Sequence, residues 1–196
     1  MRLFVALDLP SSLRTRLSWM SGGLQGARWV PPENYHVTLR FIGEVPAWRA
    51  EEIDLALAGL RASGFELQLS GVGTFEKGGK VMSLWIGVDR DPALDHLQSK
   101  IETAMQRAGL DSERRRFNPH VTLARVDSVP AFKVAEWLQG RNLFRSDKVP
   151  IEHFTLFRSR LGKEQAVYDA EVEYPLRSPI QPNPASIPDI GAVDIR

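Results

Sequence analysis

The sequence of 196 residues contains no cysteine. It therefore has neither disulfides nor thiolate nucleophiles, and metal sites built from thiolate ligands are excluded. Its formal net charge is only +1, from 25 basic and 24 acidic residues, so the chain as a whole is not a polycation built for nucleic acid. Any contact with nucleic acid must come from a local group of charges.

Long apolar runs are also missing. No stretch approaches the roughly 20 apolar residues that a membrane-spanning helix requires. The N-terminal segment lacks the apolar core and cleavage site of a signal peptide, and its short run from Leu3 to Leu9 predicts a first strand. We expect a cytoplasmic protein without a membrane partner, and its hydrophobic content of 43% is that of an ordinary globular protein.

Histidine is scarce, and two of the four histidines stand in a repeated word. The tetrapeptide His-Val-Thr-Leu occurs at 36–39 and again at 120–123, 84 positions later. The same offset relates Val-Pro-Ala-Trp-Arg at 45–49 to Val-Pro-Ala-Phe-Lys at 129–133. A repeat that keeps its register over this length predicts a duplicated structural unit.

Apolar patterning predicts the order strand, helix, strand, helix, strand in each half of the chain. Strands are expected at 65–74 and 149–157, among others. We predict a single α+β domain at 1–176, with an internal repeat of about 1–80 and 81–176. Its two lobes are expected to be related by a pseudo-twofold axis and to contain largely antiparallel sheets and helices.

The last residues of the chain, 177–196, have a different composition. Four prolines stand among the 19 residues from Ser178 onward, without a regular period. This composition predicts a disordered tail, and its role is not indicated by the sequence.

The repeated words place imidazoles and hydroxyls together. Side chains two positions apart in a strand share a face, so His36 and Thr38 project together while Val37 points into the core. His120 and Thr122 repeat this arrangement. If the two lobes meet across a cleft, two imidazoles and two hydroxyls converge there.

These four groups suit phosphodiester hydrolysis without a metal ion. A neutral histidine takes a proton from water while a protonated one donates a proton to the departing oxygen, because the pKa of imidazole lies near neutrality. The hydroxyls can donate hydrogen bonds to phosphoryl oxygens as charge develops. Two alternatives stay open from the residues alone: a structural role for each word, and a metal site completed by a carboxylate, although no HExxH-like spacing is present.

Residues 29–44, WVPPENYHVTLRFIGE, resemble the first motif of the two-histidine (2H) phosphoesterases, and residues 118–125, NPHVTLAR, resemble the second. The PPEN context is similar to that of bacterial and archaeal RNA 2′,3′-cyclic phosphodiesterases, also called the LigT or 2′-5′ RNA ligase family. Residues 156–159 followed by Tyr168 are similar to the C-terminal strand pair of that family. The resemblance covers about 1–176.

The resemblance implies a bilobal α+β fold with the active-site cleft between the lobes, and neither a cofactor nor a metal. It implies hydrolysis of a terminal RNA 2′,3′-cyclic phosphate to a 2′-phosphomonoester, with reversible 2′-5′ ligation in vitro. By residue matching, His36 is the proton donor to O3′ and His120 is the proton acceptor that activates water. Thr38 and Thr122 are expected to hold the phosphate.

Phe41 and Arg125 each lie five residues after their histidine, and the family places both near the substrate. A phenyl ring can stack on the terminal base, with core packing as its alternative role, and an arginine offers a permanent fork of charge to the phosphate. Arg40 shares its predicted face with His36 and Thr38 and is a further candidate for binding phosphate.

The expected partner is RNA with a 2′,3′-cyclic phosphate end or a related nucleotide, and no obligate protein partner is implied. Small cyclic or 2′-5′ linked nucleotides are alternative substrates. A non-catalytic RNA-end binding protein is a further alternative, although binding alone needs no acid/base pair. The run Arg114–Arg116 is interpreted as a solvated loop, with attraction of an RNA backbone as its alternative.

Overall fold

The computed structural model describes residues 1–162 and 165–178. The tail predicted from the sequence lies outside the described residues from position 179 onward. Within these ranges the chain forms ten β-strands and four α-helices. The strands are β1 (Arg2–Asp8), β2 (Ala27–Trp29), β3 (His36–Glu44), β4 (Phe65–Leu67), β5 (Leu69–Lys77), β6 (Lys80–Val88), β7 (His120–Val126), β8 (Val149–Ile151), β9 (His153–Leu161) and β10 (Ala166–Pro175). The helices are α1 (Ser11–Ser18), α2 (Ala47–Ala58), α3 (Pro92–Arg107) and α4 (Ala131–Gln139).

The strands form one large antiparallel sheet and one small one. The large sheet has the order β10-β9-β1-β3-β7-β6-β5, and β2 pairs with β7 beside this path. The small sheet pairs β4 with β8. The α+β class and the antiparallel sheets predicted from the sequence are confirmed.

The two repeated words meet at the centre of the large sheet. Strands β3 and β7 pair through a single residue couple, Val37 with Val121. On the two sides of this junction, β1 borders β3 as β6 borders β7, and β9 borders β1 as β5 borders β6. The strand order therefore follows the pseudo-twofold relation that the repeat predicts, with β10 as an additional edge strand.

The lobes exchange strands between the two halves of the sequence. Strand β5 comes from the first repeat but lies in the lobe of β6 and β7, whereas β9 and β10 come from the second repeat and complete the lobe of β1 and β3. The offset of 84 residues persists here, because β4 and β5 begin 84 positions before β8 and β9. Each lobe thus contains residues from both halves of the chain.

The helices are anchored to the sheet by buried aliphatic stripes. Leu13 and Leu17 are buried on α1, and Ile53 and Leu57 on α2. Helix α3 contributes the longest stripe, which consists of Leu94, Leu97, Ile101, Ala104 and Met105. Burial of each large aliphatic side chain contributes about 1.5–3 kcal/mol to folding, so these stripes fix the helices on one face of the sheet.

Strand β1 is buried on both of its faces. Leu3, Val5 and Leu7 enter the main core, while Phe4 and Ala6 form a separate small cluster with Phe157. Because side chains alternate along a strand, this second cluster lies on the opposite face of the sheet from the main core.

None of the helices in the described ranges is long and apolar enough to cross a bilayer.

Candidate active site

His36 opens β3 directly after a short 3-10 helix at Pro32–Asn34. Its Nδ1 lies 2.7 Å from the carbonyl oxygen of Asn34, and its Nε2 lies 3.1 Å from the hydroxyl of Thr38. A carbonyl oxygen only accepts hydrogen bonds, so Nδ1 carries the hydrogen and donates it. Nε2 is therefore the nitrogen that remains available for proton transfer.

His120 is held in the same way on β7. Its Nδ1 donates to the carbonyl oxygen of Asn118 at 2.7 Å, which again leaves Nε2 available. Asn34 and Asn118 each stand two residues before their histidine, and the same offset of 84 relates them. Our sequence reasoning missed this pair, although the repeated pattern Asn-X-His-X-Thr carries the signal.

The central junction brings the two words together. In an antiparallel pair, the residues that flank a couple face each other, so the pairing of Val37 with Val121 directs His36 toward Thr122 and Thr38 toward His120. All four polar residues line one cleft of about 830 Å³. The structure therefore gathers both imidazoles and both hydroxyls at one place.

A β-bulge interrupts each of these strands after its threonine. On β3, Thr38 pairs with Ala6 but Arg40 pairs with Val5, so one residue of β3 has no partner on β1. A similar shift separates Thr122 from Ala124 where β7 pairs with β6. A bulge inserts one extra residue and reverses the alternation of side chains beyond it.

The bulges decide which side chains reach the cleft. Phe41 and Arg125 come after the reversal, and both line the cleft. The Phe41 side chain is 39% exposed, and the guanidinium of Arg2 lies 5.3 Å from the centre of its ring. Phe41 is thus an exposed ring of the cleft and is not a core residue.

Arg40 is not placed as the sequence predicted. The bulge turns its side chain away from His36 and toward α3, where its Nε lies 2.7 Å from Glu102 Oε2. Its Nη1 lies 3.6 Å from Glu113 and its Nη2 donates to the carbonyl oxygen of Asp111 at 2.5 Å. Because these groups occupy its guanidinium, the expectation that Arg40 shares a face with His36 is wrong, whereas its binding of phosphate stays a prediction.

Aromatic rings enclose each histidine. The His36 ring lies 4.9 Å from Phe4 and 5.2 Å, edge to face, from Tyr168. The His120 ring lies 4.7 Å, edge to face, from Phe75 and 6.1 Å from Trp85. No role in the site was predicted for these aromatic residues from the sequence.

The aromatic rings that form a wall behind each histidine fill equivalent space in the two lobes, but with different residues. Beside His36, Phe4 stacks on Phe157 with 5.2 Å between ring centres. Beside His120, the larger ring of Trp85 covers Gly73 so closely that a Cβ atom at this glycine would overlap the indole. Gly73 is required by this close approach. The pair of Gly73 and Trp85 takes the place that Phe157 and Phe4 occupy in the other lobe.

Burial holds both histidines in the neutral form. It lowers the pKa of His36 from 6.5 to about 4, with a smaller opposing effect from the Asn34 carbonyl. Burial likewise lowers the pKa of His120, and the positive charge of Arg125 adds to this effect. At neutral pH the free protein therefore presents two unprotonated Nε2 atoms to the cleft.

Across residues 1–162 and 165–178, no three histidine, aspartate or glutamate side chains gather in an arrangement that would hold a metal ion. The side chains that the cleft does contain suit acid/base chemistry on an anion. Two imidazoles provide the proton transfers, and two hydroxyls and Arg125 provide donors to phosphoryl oxygens.

The chain is similar to proteins of one known family. The model of the 2′-5′ RNA ligase superfamily matches residues 15–163. An Archaeoglobus fulgidus protein named RNA 2′,3′-cyclic phosphodiesterase is 33% identical over 171 residues, which cover 86% of this chain and 96% of that protein. An Aeropyrum pernix protein of the same name is 39% identical over 143 residues, which cover 71% of this chain and 80% of that protein. A relative from Geobacillus stearothermophilus is 34% identical over 128 residues, but the match spans only 41% of its length and 62% of this chain.

Solved structures have the same fold. Escherichia coli LigT in complex with 3′-AMP superposes with a TM-score of 0.74 at 26% identity, covering 89% of this chain and 97% of LigT. The Thermus thermophilus protein TT0787 superposes with a TM-score of 0.74 at 26% identity, and the match covers 91% of this chain and 99% of TT0787.

Proposed function

The chain belongs to the 2′-5′ RNA ligase superfamily, and on that premise we propose that it is an RNA 2′,3′-cyclic phosphodiesterase. It opens the terminal cyclic phosphate of an RNA to leave a 2′-phosphomonoester and a free 3′-hydroxyl. The proposal rests on one observation. Two histidines share one cleft with two threonine hydroxyls, and both histidines have the same tautomer because the Nδ1 of each donates to a backbone carbonyl.

The cyclic phosphate binds between the two strands. Thr38 and Thr122 donate hydrogen bonds to its non-bridging oxygens, and Arg125 compensates its negative charge. The terminal base stacks on the exposed ring of Phe41. These contacts fix the phosphorus atom between the two imidazoles, so that the attacking and the departing oxygens lie on opposite sides of it.

Hydrolysis then needs two proton transfers. The neutral Nε2 of His120 takes a proton from water while the water oxygen forms its bond to phosphorus. The bond from phosphorus to O3′ breaks, and the protonated Nε2 of His36 donates its proton to O3′. The two histidines finish with their protonation states exchanged, and proton exchange with solvent restores them.

The substrate itself supplies the protonated state of His36. In the free protein the pKa of His36 is about 4, so this ring is neutral at physiological pH. An anionic phosphate against the ring favours the imidazolium and raises the pKa. Binding of the substrate is thus coupled to uptake of one proton from solvent.

The assignment of roles is tested with histidine variants and two substrates. His36→Ala and His120→Ala are each expected to lower kcat on an RNA cyclic phosphate by about 10²–10⁴, the usual effect of a positioned acid or base. With a nitrophenyl phosphodiester, whose leaving group needs no proton, His36→Ala recovers activity and His120→Ala stays inactive. His96→Ala is the control, because His96 is exposed on α3 and outside the cleft.

Other outcomes separate the alternatives. Recovery of the His120 variant in place of the His36 variant reverses the roles, and recovery of neither contradicts acid/base catalysis. Mapping the phosphate in the product distinguishes cleavage of the bond to O3′ from cleavage of the bond to O2′. A complete lack of turnover with tight binding would identify a non-catalytic RNA-end binding protein.

Two further expectations belong to this proposal. Ligation of RNA ends through a 2′-5′ bond is the reverse reaction, and other small cyclic or 2′-5′ linked nucleotides are alternative substrates of the same chemistry. A cytoplasmic location stays a prediction from the sequence.

A further inference from the structure

Positive charge is concentrated in the cleft far beyond its share of the chain. The side chains that line it include one acid, Glu113, and, apart from Arg40, whose guanidinium is occupied by acidic partners, four arginines: Arg2, Arg115, Arg116 and Arg125. The whole chain has a net charge of only +1. A single cyclic phosphate carries one negative charge, so the cleft holds more positive charge than that group requires.

Three arginines of the cleft lie in two different places. Arg125 follows the second repeated word and affects the pKa of His120. Arg115 and Arg116 lie on the loop between α3 and β7, outside the strands that carry the two histidines. The loop arginines therefore reach the cleft from a different element than the histidines, the threonines and Arg125.

A buried ion cluster fixes this loop. Arg40 donates to the Asp111 carbonyl and contacts Glu102 and Glu113, and its side chain is only 9% exposed. The backbone N–H of Glu113 donates to Glu102 Oε1 at 2.9 Å. The loop is thus tied to both β3 and α3 before any substrate binds.

The cluster also orients the first loop arginine. Glu113 accepts from Arg115 Nε at 3.2 Å and from Nη2 at 3.0 Å, and Arg115 lowers the pKa of Glu113 to about 2. The Arg115 side chain remains 80% exposed, and its other N–H donors are unoccupied by the described residues. Arg116 is exposed and makes no ion pair with any residue in the described ranges.

We propose that Arg115 and Arg116 form a second phosphate subsite, which binds the phosphodiester on the 5′ side of the terminal nucleotide. The inference rests on the proposed function and specifies its substrate as an oligonucleotide. A mononucleotide cyclic phosphate fills only the catalytic position, whereas an oligonucleotide fills both. The chain therefore prefers an RNA end over a 2′,3′-cyclic mononucleotide.

The test compares two substrates with the same terminal base: adenosine 2′,3′-cyclic phosphate and a trinucleotide that ends in it. We expect Arg115→Gln and Arg116→Gln each to lower kcat/KM for the trinucleotide by about tenfold through KM, the effect of losing one charged hydrogen bond. Both variants leave kcat/KM for the mononucleotide within about twofold of the wild type. Loss of one phosphate contact also reduces the slope of log kcat/KM against log salt by about 0.7 for the trinucleotide.

Arg114→Gln is the matched control, because Arg114 is exposed in the same run but does not line the cleft. It is expected to leave both substrates unaffected. Equal losses on both substrates, no loss on the trinucleotide, or an equal effect of Arg114→Gln would each overturn the subsite. If the wild type hydrolyses neither substrate, the proposed function fails together with the inference, whereas hydrolysis of both with no difference among the variants overturns the subsite alone.

Discussion

At the scale of single residues, enclosure sets the chemistry of the two histidines. Their Nδ1 atoms are bound to backbone carbonyls, so the tautomer of each ring is fixed without a carboxylate partner. The aromatic rings around them exclude water and lower their pKa values. In the proposed mechanism, the free site is therefore a pair of bases, and it becomes an acid/base pair only when an anion enters.

This arrangement predicts different pH profiles for kcat/KM and kcat. In the free protein His36, the proposed general acid, loses its proton below neutral pH, because its pKa lies below the ordinary value of 6.5. We expect kcat/KM, which reports the free protein, to reach its maximum below pH 6.5 and to fall as the pH rises. The profile of kcat reports the complex with the anionic substrate and should peak at a higher pH.

Initial rates across the pH range, analysed for the pair of groups and not for either residue, measure both profiles. Coincident profiles with a maximum above neutrality would contradict the lowered pKa of the free histidines.

Arg40 provides a prediction about stability. Its replacement by Met leaves Glu102 without its ion-pair partner at a position where that side chain is only 18% exposed. Removal of one member of a buried pair costs about 3 kcal/mol, and this loss should be seen as a lower midpoint of urea unfolding. Addition of Glu102→Gln should recover part of the loss.

The exposed pair of Lys148 and Glu66 supplies the control for this change, since Lys148→Met should cost less than about 1 kcal/mol. A loss from Arg40→Met no larger than that of the control would show that the buried cluster does not hold the loop.

At the scale of secondary-structure elements, the bulges mark the limit of what the sequence predicts. Strand alternation correctly gave His36 and Thr38 one face, but it failed at Arg40 because an extra residue reverses the alternation. A hydrophobic pattern does not reveal this bulge. Leu39 and Arg40 are both buried, but only Leu39 is apolar, so the sequence still reads as a regular alternation. The positions of Phe41 and Arg125 came from the family resemblance and not from the periodicity.

The strands expected at 65–74 and 149–157 show a second limit. Each of these predicted strands is two strands in the structure. The first is a short strand of the small sheet (β4 or β8), and the second is a long strand of the large sheet (β5 or β9). Local apolar patterns identify extended backbone but not its partner strands. The change of sheet therefore could not be predicted.

Close packing between neighbouring strands gives another prediction. Gly73→Ala places a methyl group where the indole of Trp85 lies, and overpacking of this kind costs about 1–3 kcal/mol. The double variant Gly73→Ala with Trp85→Phe should regain most of that stability, because the smaller ring leaves room as the two phenylalanines do in the other lobe. Thermal unfolding of the two variants measures the difference.

Gly59→Ala is the control for this test, because a Cβ atom there meets only ordinary contacts in a right-handed helical conformation. If the double variant is no more stable than the single one, the indole is not the cause of the glycine requirement.

At the scale of the whole molecule, the repeat was visible in the sequence but its pairing was not. The offset of 84 residues predicted two equivalent units, and the strand order around the Val37 and Val121 junction follows that relation. The exchange of β5 and β9 between lobes depends on contacts between residues far apart in the chain. No local pattern encodes such contacts.

The donor set of the cleft predicts the response to metal removal. Activity on an RNA cyclic phosphate should survive exhaustive treatment with EDTA, because histidine, threonine and arginine side chains supply every group that the proposed mechanism uses. Steady-state rates before and after chelation provide the measurement. Loss of activity that a particular divalent ion restores would contradict the mechanism.

The exchanged strands also set the time at which the enzyme can first act during its synthesis. Strand β1 pairs with β9 through Phe4 and Phe157, so the wall behind His36 is completed only when the end of the domain has left the ribosome. Translation proceeds at about 5–20 residues per second, and β1 therefore waits on the order of ten seconds for its partner. During that interval its edge is open to other nascent chains. A nascent chain that has not yet supplied β9 thus lacks the wall behind His36, and hydrolysis of a cyclic phosphate is expected only after that strand has emerged.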